Sequence, residues 1–581
     1  MTSTPLSSTP LSRRSLLGRA GVAAAGAALP LGAQRSASAA SPTAGSASVP
    51  GRTDGGPLQL ARVWFGEGGP TRFDTTHRVF EDGSVEVVLW PGDLDRLVAL
   101  DLKVELTDDD LALTDAMARA SASGRPVALP IQPGEVDGYR TVAAHEDDLR
   151  RLAAEHPTTA RLVELPFITF EGRTVLGLEI ARNVHAPNDG RPTFHVDGLH
   201  HAREWPAGEL AIMFAHDLLE SDGTDARVTR IVDRVRTIVV PVVNPDGYHH
   251  SRSAVAETPG GTAESIALGG RGAYWRKNRR SFTDYFAGDG LLLDSGHSEY
   301  PEPLRGSDAY GVDPNRNYAC TWGRPGSSAN DVHSQSHRGD APFSEPESRN
   351  IAWLMTTRHV TGALSHHTGA VEIIWPWANE MGEAPDADTF LALAEAMSAI
   401  NGYRARKFNT SEGTTPDHFY GSTSTLCFLF ENASSFHPDY ASTVPALYAT
   451  NRDAFLLLAE RTCVDSDLHA VVAGRIVDAD GNGVQATLTT RKRYGSPLWL
   501  FGDGNAPGGR TTHEEVFEAS MATAADGTFE WHVNPSTRPH VQQAGATESV
   551  ELAVSSAAGG TVRHLVLGRG EHLDLGDLQV I

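Results

Sequence analysis

The sequence predicts an α/β protein with a mixed, mostly parallel sheet flanked by helices, a small N-terminal module and a C-terminal all-β sandwich. Over about 300 residues, apolar runs with strand character alternate with helical repeats, which is typical of one large α/β domain with a buried sheet. After Cys463 the pattern changes to short alternating strands with turn signals such as DGNG at 480–483. These two patterns define the predicted fold class.

The large domain is predicted to span 138–462. A helix begins near Glu146, with Leu149 and Leu152 on one face. The strands predicted after it are 161–169, 175–181, 192–198, 236–243, 361–367, 371–376 and 423–431. The predicted helices are 206–220, 345–358, 386–400 and 442–461. Two glycine-rich stretches, 258–272 and 287–306, have the composition of surface loops.

The flanking regions are predicted to be smaller. Residues 58–130 form a compact α/β or β-rich module, with an alternating stretch at 84–90 and another strand-like stretch at 97–106. Residues 464–581 are predicted to form a sandwich of about seven strands.

The N-terminus has the pattern of an export signal. Arg13 and Arg14 precede a mildly apolar run, and Ala37 and Ala39 are the small residues expected before a cleavage site. We therefore expect a twin-arginine signal at 1–39, a flexible linker at 40–57, and a soluble mature protein outside the cytoplasm. A membrane anchor is the alternative, but the apolar run is short for a spanning helix, and no later segment is long and apolar enough to span.

Charge and cysteine content exclude several classes of protein. The formal net charge of −24 argues against a nucleic-acid partner, which requires a basic surface, and against an anionic membrane surface. Only three cysteines are present, Cys320, Cys427 and Cys463, so neither a disulfide framework nor a CxxC metal site is expected. Cys427 lies in an apolar strand, where a small core residue is expected.

Metal-binding or titratable side chains follow three of the predicted strands. His201 and Glu204 follow the strand at 192–198, His366 and His367 end the strand at 361–367, and Glu431 ends the strand at 423–431. Ligands bind at strand ends in open α/β sheets. Two histidines and a carboxylate with a fourth position open are typical of a catalytic zinc site, and a further glutamate could serve as the base on the attacking water.

Simpler interpretations exist for the same residues. Glu204 would suit the first turn of a helix in a polar loop, because carboxylates are favoured near helix N-termini. His366 and His367 could both be hydrogen-bonded loop residues, and at most one of them should point toward a given site because side chains alternate along a strand.

Six motifs in order resemble the zinc metallocarboxypeptidases related to carboxypeptidase A, known as peptidase family M14. GLHHAREW is similar to the HxREW motif of this family, and NPDGY at 244–248 to the turn after its next strand. YWRKNRR at 274–280 and GVDPNRNY at 311–318 resemble its WRKxR and GVDxNRNW segments. SHHTGAVEIIWP at 365–376 and FLFEN at 428–432 resemble the strands that carry the third ligand and the catalytic glutamate.

The resemblance implies three ligands for one Zn²⁺. The histidine of the HxRE motif corresponds to His201 rather than His200, and Glu204 is the glutamate of the same motif. The SxH spacing likewise selects His367 over His366 as the third ligand.

The resemblance also implies the residues that act on the substrate. Glu431 matches the general base that later protonates the leaving amine, and Arg276 matches the group that stabilises the oxyanion. Asp313 matches the carboxylate that fixes the tautomer of the first ligand. Asn315 and Arg316 match the pair that grips a terminal carboxylate, a group that a planar guanidinium fits well.

These roles imply an exported exopeptidase that releases the C-terminal residue of peptides or proteins by means of zinc-activated water. Arg203 matches a residue further along the substrate cleft. The alternative for Arg316 is an internal salt bridge. Asn409 stands where the family has a tyrosine that closes over the substrate. Pro416 stands where an acidic residue would select basic side chains, and Ile374 and Leu429 match further pocket positions, so we expect apolar or aromatic terminal residues. Glu412 and Thr415 could change that preference.

Two other functions remain open at this point. A cell-wall peptidase that cuts γ-glutamyl or diamino-acid linkages would keep the metal and change the substrate. A binding protein on the same fold would lack catalysis. Residues 58–130 resemble either a removable pro-segment or a permanent domain, and 464–581 is similar to the transthyretin-like accessory domain that accompanies some of these enzymes.

Overall fold

The computed structural model describes residues 57–65, 73–90, 92–123, 138–186, 188–256, 272–280, 311–323, 334–378, 382–407, 411–499, 510–535 and 549–581. The predicted signal at 1–39, nearly all of the linker at 40–57, most of both glycine-rich stretches and Asn409 lie outside the described residues. Residues 51–581 belong to one compact unit.

The N-terminal module is a four-stranded antiparallel sheet with two helices. Its elements are β1 (Gln59–Trp64), β2 (Asp74–Val79), β3 (Val85–Leu89), α1 (Asp93–Ala99), β4 (Lys103–Asp108) and α2 (Leu111–Ser123). The strand order is β2-β3-β1-β4. The prediction of one strand-like stretch at 97–106 was wrong, because its first residues end α1 and place Leu97 in the core of the module.

The main domain contains an eight-stranded mixed sheet. Its strands are β5 (Ala160–Glu164), β6 (Leu176–Ile180), β7 (Thr193–Gly198), β8 (Arg236–Val240), β9 (Val360–His367), β10 (Glu372–Trp375), β11 (Arg404–Lys407) and β12 (Leu426–Glu431). The order is β11-β10-β12-β9-β7-β8-β6-β5. The neighbours β12, β9, β7 and β8 run parallel. Every residue of β7, β9 and β12 is buried, as expected for strands covered on both faces.

Eight helices of the described residues flank this sheet. They are α3 (Val142–Glu155), α4 (Trp205–Glu220), α5 (Ala226–Arg234), α6 (Pro245–Ala256), α7 (Pro346–Thr357), α8 (Ala387–Asn401), α9 (Thr415–Thr423) and α10 (Tyr440–Ala459). Four elements were not predicted, namely α5, α6, α9 and β11. The sequence of α9, TPDHFYGST, has no apolar repeat, and this helix is held by tertiary contacts instead.

The C-terminal region is a seven-stranded sandwich. Its strands are β13 (Ala470–Val477), β14 (Ala486–Trp499), β15 (Arg510–Ala522), β16 (Thr528–Val533), β17 (Val550–Ser556), β18 (Gly559–Leu565) and β19 (His572–Gln579). They form sheets in the orders β16-β13-β19 and β15-β14-β17-β18. Side chains of both sheets share one buried core, so the predicted fold class, with its flanking module and sandwich, is confirmed.

The module and the sandwich lie at opposite ends of the parallel strands. Asn534 of the sandwich donates to the carbonyl of Val360, the first residue of β9, at 3.0 Å. Arg569 donates to the carbonyl of Ser424, just before β12, at 2.7 Å. Leu58 and Leu111 of the module instead share a buried cluster with Leu199, which follows the carboxyl end of β7.

All three cysteines lie in the buried interior of the protein. Cys320, Cys427 and Cys463 are buried free thiols, and Cys427 lies in β12 as predicted. Among the helices of the described residues, none combines the length and the apolar character that crossing a membrane requires.

Candidate active site

The carboxyl ends of β7, β9 and β12 bring the predicted site residues together. His367 and Glu431, the last residues of β9 and β12, are paired across the parallel ladder. Gly198, the last residue of β7, is paired with His366. Parallel neighbours end at the same edge of a sheet, so residues 166 positions apart, such as His201 and His367, become neighbours.

A tight turn after β7 places the first two predicted ligands. Leu199 has a positive φ of 55°, which turns the chain sharply into α4. A Cβ at Gly198 would lie 2.5 Å from the carbonyl oxygen of Ala207, so only glycine permits this approach of strand and helix. Glu204 is the residue before α4, and His201 lies in the turn itself. The turn therefore directs both side chains to the sheet edge.

His201, Glu204 and His367 form a buried cluster whose candidate ligand atoms all lie within 4.8 Å of one another. His201 Nδ1 is 2.7 Å from Glu204 Oε1, and His367 Nδ1 is 2.9 Å from Glu204 Oε2. The two Nδ1 atoms are 3.1 Å apart. Burial alone would raise the pKa of Glu204, but the two histidines hold this pKa well below its usual value. The geometry thus gathers two nitrogen donors and one carboxylate around one point.

Asp313 supports this cluster from the other side of His201. Its Oδ1 lies 3.2 Å from His201 Nε2, and its Oδ2 accepts a 2.9 Å hydrogen bond from Arg276 Nε. Burial opposes ionisation, but Arg276 and His201 hold the pKa of Asp313 well below its usual value. A carboxylate at Nε2 fixes a proton there and leaves Nδ1 of His201 as the donor atom that faces the cluster.

Arg276 also faces the cluster. Its Nη1 is 4.0 Å from Glu204 Oε1, and its backbone carbonyl accepts a hydrogen bond from Ala202 N. The segment that carries Arg276 is therefore joined to the turn that carries His201. A fixed, buried guanidinium beside a metal cluster can stabilise a developing negative charge.

Glu431 is fully buried, and neither of its carboxylate oxygens has a hydrogen-bond partner among the described residues. Burial, followed by the negative charges of Glu204 and Glu372, raises its pKa well above the usual value. A buried carboxyl group without partners is costly, so its retention beside a ligand cluster indicates a chemical role rather than a structural one.

Asn315 and Arg316 follow Asp313 in a single 3-10 turn, Pro314–Arg316. Asn315 Oδ1 accepts hydrogen bonds at 2.8 Å from both the backbone N–H and the hydroxyl of Thr415, and its Nδ2 lies 3.4 Å from His367 Nε2. Arg316 donates to the Asn315 carbonyl at 2.7 Å, while its buried Nε has no partner among the described residues. Burial lowers the pKa of Arg316. We refer to Asn315 and Arg316 as the clamp.

Arg203 is also buried next to the cluster, and it already has a partner. Asp74 of the N-terminal module accepts hydrogen bonds from both its terminal nitrogens, at 2.5 and 2.8 Å. The indole of Trp90 donates to the same carboxylate at 2.8 Å, and the guanidinium stacks over Phe436 at 4.3 Å. Arg203, which was predicted to lie further along the substrate cleft, is thus paired with a carboxylate of the same chain.

The module also covers the predicted side-chain pocket. Val79, the last residue of β2, packs with Ile374 and Leu429, which are buried at the pocket positions. The carbonyl oxygen of Thr76 lies 2.7 Å from where a Cβ of Gly369 would be. Strand β2 therefore passes directly over the edge where the ligands meet.

The comparison with protein families agrees with this site. The model of the zinc carboxypeptidase family, Peptidase_M14, matches residues 145–441, slightly more than half of the 581 residues. The chain belongs to the zinc carboxypeptidase family. It is accordingly a metallocarboxypeptidase-type hydrolase, and members of this family use one zinc ion.

Curated relatives of this zinc carboxypeptidase are similar at low identity. Mouse carboxypeptidase A1 is 25% identical over 343 residues, which cover 57% of this chain and 71% of the mouse protein. Zinc carboxypeptidase A 1 of Anopheles gambiae is 26% identical over 266 residues, covering 45% of this chain and only 50% of the mosquito protein.

Solved structures show the same fold. Carboxypeptidase A from Helicoverpa armigera aligns with a TM-score of 0.53 at 18% identity, covering 71% of this chain and 99% of that structure. Thrombin activatable fibrinolysis inhibitor aligns with a TM-score of 0.50 at 16% identity, covering 70% of this chain and 98% of that structure.

The residues of this carboxypeptidase fit a zinc ion. Two Nδ1 atoms and a carboxylate within 4.8 Å are the donor set of a catalytic zinc site, which keeps one position open. Without a cation between them, the Nδ1 atoms of His201 and His367 could lie 3.1 Å apart only if one carried a proton and donated it to the other. The unpartnered carboxylate of Glu431 lies at the same strand edge, where a reacting group needs a base.

Sequence reasoning missed two groups of residues around the site. The first is Asp74, Trp90 and Val79, whose approach to the cleft leaves no signal in the local sequence pattern. The second is His200, Tyr318 and Thr415, which contact one another next to the clamp. The adjacent histidines His200 and His201 were a signal for His200, but the sequence spacing did not identify its hydrogen-bond partners.

Proposed function

We propose that the protein is an exported zinc metallocarboxypeptidase that removes the C-terminal residue of peptides or proteins. The observation that carries this proposal is the state of Arg316. It is buried beside the ligand cluster, and no carboxylate of the described residues lies within ion-pair distance of it. Asp313, Glu412 and Glu204 are close enough to act on its charge. A buried guanidinium with no direct ion pair among the described residues can still take an anionic ligand, and a peptide C-terminus supplies one of matching shape.

The clamp would restrict cleavage to the last peptide bond. Arg316 would bind one or both oxygens of the terminal carboxylate, and Asn315 would donate to them from Nδ2. With the terminus held there, the last peptide carbonyl would lie over His201, Glu204 and His367. An endopeptidase would have no use for a buried cation at this point.

Zinc held by His201, Glu204 and His367 would supply a Lewis acid that polarises the peptide carbonyl and makes a water molecule acidic at neutral pH. Arg276, held by Asp313, would place its guanidinium against the oxygen on which negative charge develops. Asp313 would keep His201 oriented through Nε2 throughout the reaction.

Glu431 would transfer the proton from the attacking water to the departing amine. As a carboxylate, it would accept a proton from the attacking water on the carbonyl carbon, and then give this proton to the departing amine as the C–N bond breaks. Its burial and its lack of hydrogen-bond partners favour this role, because no competing contact holds its oxygens away from the reacting atoms.

Two further parts of the proposal concern the preferred terminal side chain and the location of the protein. Pro416 at the base of the pocket, with Ile374 and Leu429 on its wall, favours apolar or aromatic terminal residues. The paired Arg13 and Arg14 support export through a twin-arginine signal. The net charge of −24 supports peptide rather than nucleic-acid substrates.

The N-terminal module is proposed to be a removable cover of this site. Asp74 occupies Arg203, Val79 fills the space between Ile374 and Leu429, and the ligands are at most 1% exposed. A peptide could not reach the ligands while these contacts persist.

The decisive test combines one chemical and one binding variant in the zinc-loaded protein after cleavage within 124–137. Glu431→Gln keeps the shape of the side chain but removes the base, so kcat should fall by about 10²–10⁴ while zinc content is unchanged. Arg316→Ala should raise KM for free-acid peptides by about 10–100-fold with a smaller effect on kcat, because a charged hydrogen bond is lost.

Glu372→Gln is the matched control for the chemical variant. Glu372 is paired with Glu431 across β10 and β12 and is bonded to Arg406, and its charge raises the pKa of Glu431. Glu372→Gln should therefore cost stability and shift the pH dependence of kcat to lower pH, without the large loss of kcat expected for Glu431→Gln. Equal cleavage of a peptide and its C-terminal amide would overturn the exopeptidase claim. Faster cleavage of muropeptides than of ordinary peptides would assign the cell-wall substrate, and absence of bound zinc would indicate a binding protein.

A further inference from the structure

His200 precedes a proposed ligand but does not point into the ligand cluster. Its Nε2 lies 2.8 Å from the hydroxyl of Tyr318 and 3.1 Å from the hydroxyl of Thr415. Its Nδ1 is 3.3 Å from Asp197 Oδ1. All of these groups are buried, so the contacts are not exchanged for water.

Asp197 is itself held in place by two other groups. Ser365 donates to Asp197 Oδ1 at 2.6 Å, and His195 Nε2 lies 2.8 Å from Oδ2. His200 Nδ1 lies beside this fixed carboxylate but makes no hydrogen bond of acceptable geometry with it. The single hydroxyl hydrogen of Thr415 is directed at Asn315 Oδ1, so the Thr415 oxygen accepts and His200 Nε2 carries the proton that is donated to it.

Thr415 connects this histidine to the clamp. Its hydroxyl and its backbone N–H both donate to Asn315 Oδ1 at 2.8 Å. Two donors on one oxygen determine which way the amide group faces, so Asn315 Nδ2 must be the atom on the side of His367, at 3.4 Å. The amide therefore presents its N–H group to the site before any substrate binds.

We propose that His200 is a positioning residue for the substrate's terminal carboxylate: through Tyr318 and Thr415 it holds the Asn315 amide in the orientation that donates to that carboxylate. This inference rests on the proposed function, because it names what fixes one half of the clamp. Preorganised donors bind better because less freedom is lost on binding. Loss of His200 should therefore weaken recognition of the carboxylate and leave proton transfer by Glu431 unaffected.

The chain offers a matched control for this histidine. His366 also precedes a proposed ligand and is also fully buried, but its Nδ1 lies 3.4 Å from Asn432 Nδ2 and its ring packs on Phe455 at 4.8 Å. Among the described residues, neither of these contacts involves Asn315 or Arg316. His366→Gln and His200→Gln therefore make the same change at equivalent positions of the two ligand-bearing segments.

The experiment measures binding in the zinc-loaded full chain carrying Glu431→Gln, before and after cleavage within 124–137. The probes are a blocked dipeptide with a free C-terminal carboxylate and the same dipeptide as its amide. His200→Gln should reduce the preference for the acid over the amide about tenfold, and His366→Gln should leave this preference unchanged. Zinc content should remain at one ion in each case.

Thr415→Val keeps the inference testable if His200→Gln does not fold, because it removes only the connecting hydroxyl. It should reduce the same preference, and the double variant should lose little more than either single variant, since both act on one network. An unchanged acid preference in Thr415→Val, fully additive losses, or loss of zinc from His200→Gln would overturn the inference. Absence of any acid preference in the parent protein would instead overturn the proposed function.

Discussion

The N-terminal module and the C-terminal sandwich are joined to the same domain by contacts of the same kind, yet they lie at opposite ends of its parallel strands. The module buries Leu58 and Leu111 against the domain and places Asp74 on Arg203. The sandwich buries His359, which precedes β9, against Phe517 and Trp531. Both attachments combine apolar packing with buried hydrogen bonds.

The difference between the two regions is their position relative to the chemistry. The proposed catalytic groups lie at the carboxyl ends of β7, β9 and β12, so a region attached there would control access to them. The described residues of the sandwich contact the amino ends of the strands at Val360 and Ser424. Similar contacts should therefore affect activity in one region and stability in the other.

The largest expected effect comes from releasing the module. Cleavage of the purified full chain within 124–137, where Glu135 offers a site for a glutamyl endopeptidase, should raise kcat/KM for free-acid peptides by at least about 10²-fold. A cover held by about 3 kcal/mol lowers the accessible fraction by this factor, and the burial of Leu58, Leu111 and Val79 against the main domain can account for that much. The measurement is the rate of hydrolysis before and after limited proteolysis.

Asp74→Ala should give an intermediate increase without cleavage, because it removes the buried partner of Arg203 but leaves Val79 in the pocket. Glu105, an exposed residue of β4 in the same module, provides the control Glu105→Ala, which should change nothing. Equal rates before and after cleavage would mean that the module is a permanent domain that admits substrate.

The ligands could be predicted from sequence because their positions follow from local rules. Each one ends a strand or follows it, and carboxyl ends of parallel strands meet, so a pattern of His201, Glu204, His367 and Glu431 at such positions already implies proximity. The remaining question, which histidine of each pair faces the site, was settled only by resemblance to a family.

The module's contacts could not be predicted in the same way. Asp74 and Arg203 are 129 positions apart, and nothing in the sequence around Asp74 indicates its partner. Helix α9 was missed for a related reason, since its sequence lacks an apolar repeat and its position depends on contacts made by the rest of the chain. Long-range contacts of single polar residues are determined by the whole fold.

A smaller effect, on stability alone, is expected in the sandwich. Trp531 is 1% exposed and joins the sandwich core to His359 of the main domain. Trp531→Ala should destabilise the protein by about 3–5 kcal/mol, as other large-to-small core changes do, and lower its melting temperature. In the fraction that remains folded and zinc-loaded, kcat should stay within about twofold.

Calorimetry would measure the stability, and titration of active sites after activation would give kcat per active site. Phe529→Ala, which removes a buried ring from the sandwich core, should give a similar loss of stability. A tenfold or larger drop in kcat per active site for Trp531→Ala would mean that the sandwich acts on the site through β9.

The smallest effect is expected where the sandwich approaches the clamp. Glu515 of β15 lies 3.3 Å from His418 Nε2 on α9, and Thr415 at the start of that helix holds Asn315. Glu515→Gln should raise KM for free-acid peptides by no more than about threefold, because one partly buried pair at the far side of a helix is worth about 1 kcal/mol or less. Glu518→Gln on the same strand removes an exposed pair with Arg491 and should change neither KM nor stability. A tenfold rise in KM for Glu515→Gln alone would place the sandwich among the regions that control substrate binding, and the division between covering module and stabilising sandwich would no longer hold.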